Sequence, residues 1–140
     1  MKDKIKDVMT MNPISLPTDS TLTEAAEAMR DSDIGDVIVL DDDGQVCGIV
    51  TDRDIVVRGV AEGRDPSTTA LGDVCSRDMT TLSPDDSVSD AIRLMRKKAI
   101  RRVPVIDEGR PAGIVTLGDL AMNSDPDSAL AYISEAEPDR

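Results

Sequence analysis

The chain has 140 residues, 39% hydrophobic and 31% charged, the mix of a soluble globular protein with enough apolar material for a sizeable core. Tyr132 is its only aromatic residue and histidine is absent, which excludes base stacking on aromatic rings, Ser-His-Asp and Cys-His catalysis and histidine metal sites. A formal charge of −12 with a pI near 4.3 repels a phosphate backbone, so no nucleic-acid partner is expected. The longest aliphatic run, Val37 to Leu40, is far short of the roughly 20 apolar residues of a membrane span. Met1 to Thr10 has no apolar stretch of signal type. Cys47 and Cys75 form neither a CxxC pair nor a disulfide framework, and a soluble cytoplasmic protein without a membrane partner is the expectation.

The elements come in the same order twice, because the chain matches itself at a shift of 66 residues. Ile5, Asp7, Val8 and Met9 fall on Leu71, Asp73, Val74 and Cys75. The register continues through Leu16 on Leu82, Met29 and Arg30 on Met95 and Arg96, and Val37 and Val39 on Val103 and Val105. After Asp43 the shift becomes 65, and Gly48-Ile49-Val50-Thr51 lands on Gly113-Ile114-Val115-Thr116, with Asp54 on Asp119. Seventeen of 50 aligned pairs are identical. Each copy predicts strand, helix, strand, strand, helix. In the first, Ser20 or Thr21 opens a helix with Glu24 in capping-box position and an apolar stripe of Leu22, Ala25, Ala26 and Met29. Val37–Leu40, an acidic turn at Gly44 and Val46–Val50 then predict a hairpin, and a second helix starts after Thr51. Gly59, Gly63, Pro66 and Ser67-Thr68-Thr69 mark the connection. In the second copy the stripe is Val88, Ala91, Ile92 and Met95, the hairpin is Val103–Ile106, Gly109 and Pro111–Val115, and a helix starts after Thr116.

The resulting expectation is an α/β (α+β) chain with motifs at 1–63 and 64–121 and an acidic tail at 122–140, in which Ala129–Ile133 forms a helical turn that packs on a partner. A unit of about 60 residues is marginal alone, so the two are expected to pack as a pseudo-twofold pair with a ligand cleft between them. The repeated Thr-x-x-Asp has two readings. The threonine oxygen caps a helix while the carboxylate reaches back to the cap amide, a purely structural device. The same geometry offers amides and a hydroxyl to phosphate and a carboxylate to ribose. Cys47 and Cys75 sit where the other copy has Ala112 and Met9, which predicts buried structural thiols, and their spacing asks for no metal. Asp41-Asp42-Asp43-Gly44 lacks the late glutamate of a calcium loop and is explained by the hairpin turn.

On this repeat and its two Gly-aliphatic-aliphatic-Thr-x-x-Asp elements, residues 2 to 121 resemble a tandem pair of cystathionine β-synthase (CBS) domains, a Bateman module, of the stand-alone bacterial stress or hypoxia-response type. The resemblance implies a regulatory module without catalytic residues that binds an adenosine-containing ligand and dimerises through its helices. It also implies two sites. The second, preferred, comprises Thr80 and Leu82 of a first strand, Thr80-Thr81-Leu82, that lines the base, the Ile100-Arg101-Arg102-Val103-Pro104 segment, and Thr116 and Asp119. The first comprises Ile14, Leu16, Ile34, Asp36, Val37, Thr51, Arg53 and Asp54. It departs from the pattern, since Gly35 and Asp36 replace Arg101 and Arg102, and Ile38 replaces Pro104. Residues 8–58 hold 3 basic and 11 acidic side chains against 8 and 7 in residues 74–120, so anionic ligands are expected at the second site unless Arg53 supplies the missing charge. No cofactor is expected besides the regulatory nucleotide, and magnesium dependence and the protein target stay open. The alternative is a nucleotide-blind dimerisation scaffold in which both Thr-x-x-Asp elements only cap helices.

Overall fold

A computed structural model describes residues 3–124; the tail beyond Ser124, with the expected Ala129–Ile133 turn, lies outside the described residues. In chain order the elements are a 3-10 turn at Ile5–Asp7, β1 (Thr10–Met11), β2 (Ser15–Pro17), α1 (Leu22–Ser32), β3 (Asp36–Leu40), β4 (Val46–Thr51) and α2 (Asp52–Asp54). The chain continues from α2 into a wider π-helical stretch, Ile55–Val60, then a 3-10 turn at Leu71–Asp73, α3 (Val88–Lys98), β5 (Arg102–Asp107), β6 (Arg110–Thr116) and α4 (Leu117–Ser124).

Two compact units result, and neither is one sequence repeat. One joins residues up to Asn12 to Thr80–Glu108 and to Ala112 onward; the other joins Pro13–Met79 to Gly109–Pro111. In the second of these, the β2–β4 unit, β2 runs parallel to β3 and β3 antiparallel to β4. In the β5–β6 unit the order is β1-β6-β5, with β1 antiparallel to β6.

The opening turn of each repeat completes the core of the other. Ile5 is fully buried among Leu82, Val88, Val103 and Val115, and its amide donates to the Asp86 carbonyl at 2.9 Å. Leu71, Val74 and Cys75 lie in the other core with Leu22, Val37 and Val50, and the Leu71 amide donates to the Ser20 carbonyl at 2.8 Å. The glycine of each repeated motif makes room for the incoming strand. A Cβ on Gly113 would stand 2.7 Å from the Thr10 carbonyl oxygen and from the Met9 sulfur. One on Gly48 would stand 2.9 Å from the Ser76 carbonyl oxygen and 2.8 Å from the Cys75 sulfur. These glycines are therefore sites of close backbone approach.

The helices begin as their sequences dictate. Thr21 Oγ1 accepts the Glu24 amide at 3.2 Å, and Ser87 Oγ accepts the Asp90 amide at 3.0 Å. Leu22, Ala25 and Met29, and likewise Val88, Ala91 and Met95, are buried. Ala26 and Ile92 are not, contrary to the four-residue stripe expected from spacing, because each helix lays only a narrow strip on its sheet and the fourth position falls beyond it. Both helices end with a residue in the left-handed region, Asp33 (φ 53°) and Ala99 (φ 55°). The Ile34 and Ile100 amides then reach back to the Met29 and Met95 carbonyls at 3.1 Å, closing a Schellman turn that sets each isoleucine against its core.

Two further expectations need correction. Thr80-Thr81-Leu82 is not a full strand: Leu82 alone bridges Val105 in parallel, because a Ser83/Asp86 turn, with the Ser83 amide on Asp86 Oδ2 at 2.8 Å, bends the chain away at once. Cys75 is buried as expected, and burial pushes its thiol pKa up, but Cys47 is only half-buried. In the hairpin turn, Asp41 Oδ1 accepts the Asp43 and Gln45 amides at 2.9 and 3.0 Å, so this acidic run spends a carboxylate on its own backbone.

Candidate ligand site

In the β5–β6 unit three segments converge through the backbone. The Leu82 amide donates to the Pro104 carbonyl at 3.0 Å, and the Leu117 amide donates to the Arg101 carbonyl at 2.9 Å. Thr116, ending β6, donates its amide to Asp119 Oδ2 at 2.9 Å, and Thr116 Oγ1 accepts the Asp119 amide at 3.1 Å. Leu82, the Ile100–Pro104 segment, Thr116 and Asp119 are thus held in one place. Thr80 is half-buried two residues before Leu82. Val103 is fully buried in the core and Pro104 is buried, so Val103 offers a ligand only its backbone, while the Arg101 and Arg102 side chains are exposed.

Asp119 is half-buried, and this burial raises its pKa above the ordinary 3.8 against the opposing pull of its two hydrogen bonds with Thr116. Its bonds engage Oδ2, and no ion pair reaches Asp119 within 4 Å among the described residues. The carboxylate keeps an oxygen able to accept from the hydroxyls of a sugar.

The β2–β4 unit builds the same frame. Thr51 donates its amide to Asp54 Oδ2 at 2.9 Å and accepts the Asp54 amide at 3.1 Å, and the Asp52 amide donates to the Gly35 carbonyl at 3.0 Å. The Ile38 amide donates to the Ile14 carbonyl, which brings Ile14 alongside. Asp36 pairs with Thr51 across β3 and β4. Ile14, Leu16 and Ile34 are half-buried against the core, and Val37 is fully inside it. Arg53 points out to solvent beside Asp52, whereas Arg58 stands with Nε 3.8 Å from Asp54 Oδ1. The cation at this site is therefore Arg58, which sequence reading passed over. Its i, i+4 spacing from Asp54 was the available signal, and the repeat places Asn123 at the matching position.

A groove of about 430 Å³ opens between α3 and α4 in the β5–β6 unit, floored by Met95, Ile100 and Leu120, flanked by Ile92 and Leu117 and rimmed by Arg96 and Arg101. Of the candidate site residues it includes only Ile100 and Arg101.

The CBS domain family model matches residues 5–59 and 71–124, and the chain belongs to that family as a CBS pair, with two small sheets and four α-helices among the described residues. Among its relatives, Hypoxic response protein 1 of Mycobacterium tuberculosis is 36% identical over 94% of this chain and 91% of its own length. CBS domain-containing protein YhcV of Bacillus subtilis is 38% identical over 93% and 94%. A crystal structure of Hypoxic Response Protein I with two coordinated zinc ions superposes with a TM-score of 0.77, covering 84% of this chain and 96% of that one at 37% identity. The CBS domain pair of protein MJ0100 in complex with 5′-methylthioadenosine and S-adenosyl-L-methionine superposes at 0.78, covering 89% and 98% at 26% identity. The chain has no histidine, and among the described residues no three Cys, Asp or Glu side chains gather to hold a metal ion.

Proposed function

We propose that this CBS pair is a non-enzymatic regulatory module that binds an adenosine-containing ligand in its β5–β6 unit. Asp119 accepts from the ribose, the Thr116 hydroxyl and the Gly118 amide at the start of α4 face phosphate or another polar substituent, and Arg101 and Arg102 supply positive charge. The observation that carries this reading is the Asp119 carboxylate, half-buried at a helix start with one oxygen uncommitted. The adenosyl compounds bound by the MJ0100 pair support the ligand class. Different ligand affinities for two arrangements of the protein would shift their populations and report to a separate partner. A homodimer fits the exposed apolar face of the π-helical stretch, where Val56, Val57 and Val60 lie in solvent. Magnesium is required only if the ligand carries a polyphosphate.

A thermal-unfolding panel of AMP, ADP, ATP, S-adenosylmethionine, NAD and cyclic dinucleotides tests the site. Ligand at 100 times Kd adds about 2.7 kcal/mol, a shift of several degrees. The shift is expected in the native chain and absent in Asp119→Ala. The scaffold reading has its own support, since both Thr-x-x-Asp elements do form complete reciprocal caps. It predicts no ligand shift, with Asp119→Ala lowering stability by only about 1 kcal/mol.

A further inference from the structure

We infer that two copies of the chain pair head to tail, the helical face of the β2–β4 unit in one copy seated on the helical face of the β5–β6 unit in the other. The inference rests on the homodimer reading above and adds which surfaces meet. It starts from the repeat, because equivalent exposed positions on α1 and α3 carry opposite charge. Glu27 and Asp31 of α1 fall on Arg93 and Lys97 of α3, and all four are exposed. Along its length α1 holds three acids and one base, Arg30, which is ion-paired to Asp31 at 2.9 Å. Helix α3 holds four bases and one acid, Asp90, which is ion-paired to Arg93. Arg96, Lys97 and Lys98 make no ion pair among the described residues, so this face keeps its positive charge for a partner.

The apolar relief differs in the same sense. In the β5–β6 unit the groove between α3 and α4 is a recess floored by Met95, Ile100 and Leu120 and rimmed by Arg96. In the β2–β4 unit Val56 and Val60 of the π-helical stretch stand 58% and 60% exposed, so that unit presents apolar side chains outward. Arg58, the cation of that stretch, turns instead to Asp54 and to the Val74 carbonyl. Where the groove is flanked by Ile92 and Leu117, the first repeat carries Ala26 and Asp52. A recess with a basic rim thus complements an apolar strip beside an acidic helix, and each copy holds one of each. A twofold axis relating two head-to-tail copies makes this contact twice. The head-to-head alternative sets α3 against α3 and α1 against α1, with like charges opposed in both contacts. Ile100 and Arg101 belong to both the groove and the candidate ligand site, so the test leaves both unchanged.

Sedimentation equilibrium of the full chain reads the dimer dissociation constant, and exchanging charge between the repeats tests the orientation. Three variants suffice: Glu27→Arg with Asp31→Lys, Arg93→Glu with Lys97→Asp, and all four together. Each substitution installs the residue that the other repeat carries at that helix position, so circular dichroism should be unchanged. Either pair alone opposes like charges in both contacts and should weaken the dimer about tenfold, although the two pairs move the net charge in opposite directions. The fourfold exchange should restore affinity to within about threefold of the native chain. A native chain that stays monomeric at every concentration would overturn the homodimer reading and the inference with it. A stable dimer that neither pair weakens, as head-to-head contact predicts, overturns the orientation alone. So does a dimer that one pair tightens and the other loosens, as net charge by itself predicts, or one whose losses the fourfold exchange fails to recover.

Discussion

The two Thr-x-x-Asp elements share a backbone and differ in what their carboxylates face. Asp54 has Arg58 at its second oxygen, whereas Asp119 has no ion pair among the described residues, and the segment that its helix start bonds carries two exposed arginines, Arg101 and Arg102. One frame, set by reciprocal capping and by an amide hydrogen bond to the segment before β3 or β5, carries an arginine beside its carboxylate in one unit and, among the described residues, no ion pair in the other. Capping therefore fixes geometry, and side chains outside the motif decide whether the carboxylate is available.

The largest expected effect breaks the frame. Ile5→Ala empties a fully buried position of the β5–β6 core and should cost about 3 kcal/mol in urea unfolding, with Leu71→Ala costing about the same in the other unit. A negligible loss for either would mean that the crossed segments do not hold their cores. Exchanging the differing residues tests the sites directly. Arg58→Asn should raise affinity at the first site about tenfold, and Asn123→Arg should lower it at the second by a similar factor, roughly 1.4 kcal/mol each, as read by calorimetric stoichiometry with the ligand found in the thermal panel.

A smaller effect comes from pH. Because burial holds Asp119 above 3.8 in the folded state, its contribution to stability is fully present below the unfolded value and is lost as pH rises through the folded one. Asp119→Asn keeps an acceptor for the Thr116 amide and carries no charge. The variant should therefore gain on the native chain between about pH 3 and about pH 7, and a constant difference in urea midpoints across that range would refute the assignment. The smallest effect lies at the helix ends. Ala99→Gly relieves a left-handed alanine and should stabilise by about 0.5 kcal/mol, more than Asp33→Gly, since aspartate tolerates that conformation better.

Local signals in the sequence carried far. The repeat, the Thr21–Glu24 box, the hairpins and both helix starts after threonine follow from spacing over a few residues, where propensity and pattern act. The exchange of opening turns did not follow, because Ile5, Val8 and Met9 present nearly the same apolar spacing as Leu71, Val74 and Cys75, and either set suits either core. The small size required at Gly48 and Gly113 was hidden for the same reason: the segment that demands it arrives from the opposite repeat. At the candidate site the motif residues were legible, but Val37 and Val103 could be assigned to the cores only once each strand had a defined inner face.

The crossed turns also set a folding problem. Ile5 is joined by hydrogen bonding to Asp86, and β1 to Gly113 and Ile114, so contacts in the β5–β6 unit close loops of some 80 to 100 residues. Such pairing raises contact order and slows folding, and the β5–β6 core, which joins Ile5 to residues as far as Leu120, is incomplete until both ends of the repeat array have been synthesised. A cut in the connection at residues 61–69 would leave two fragments, each holding a piece of the other's core, that should recover native structure only by associating.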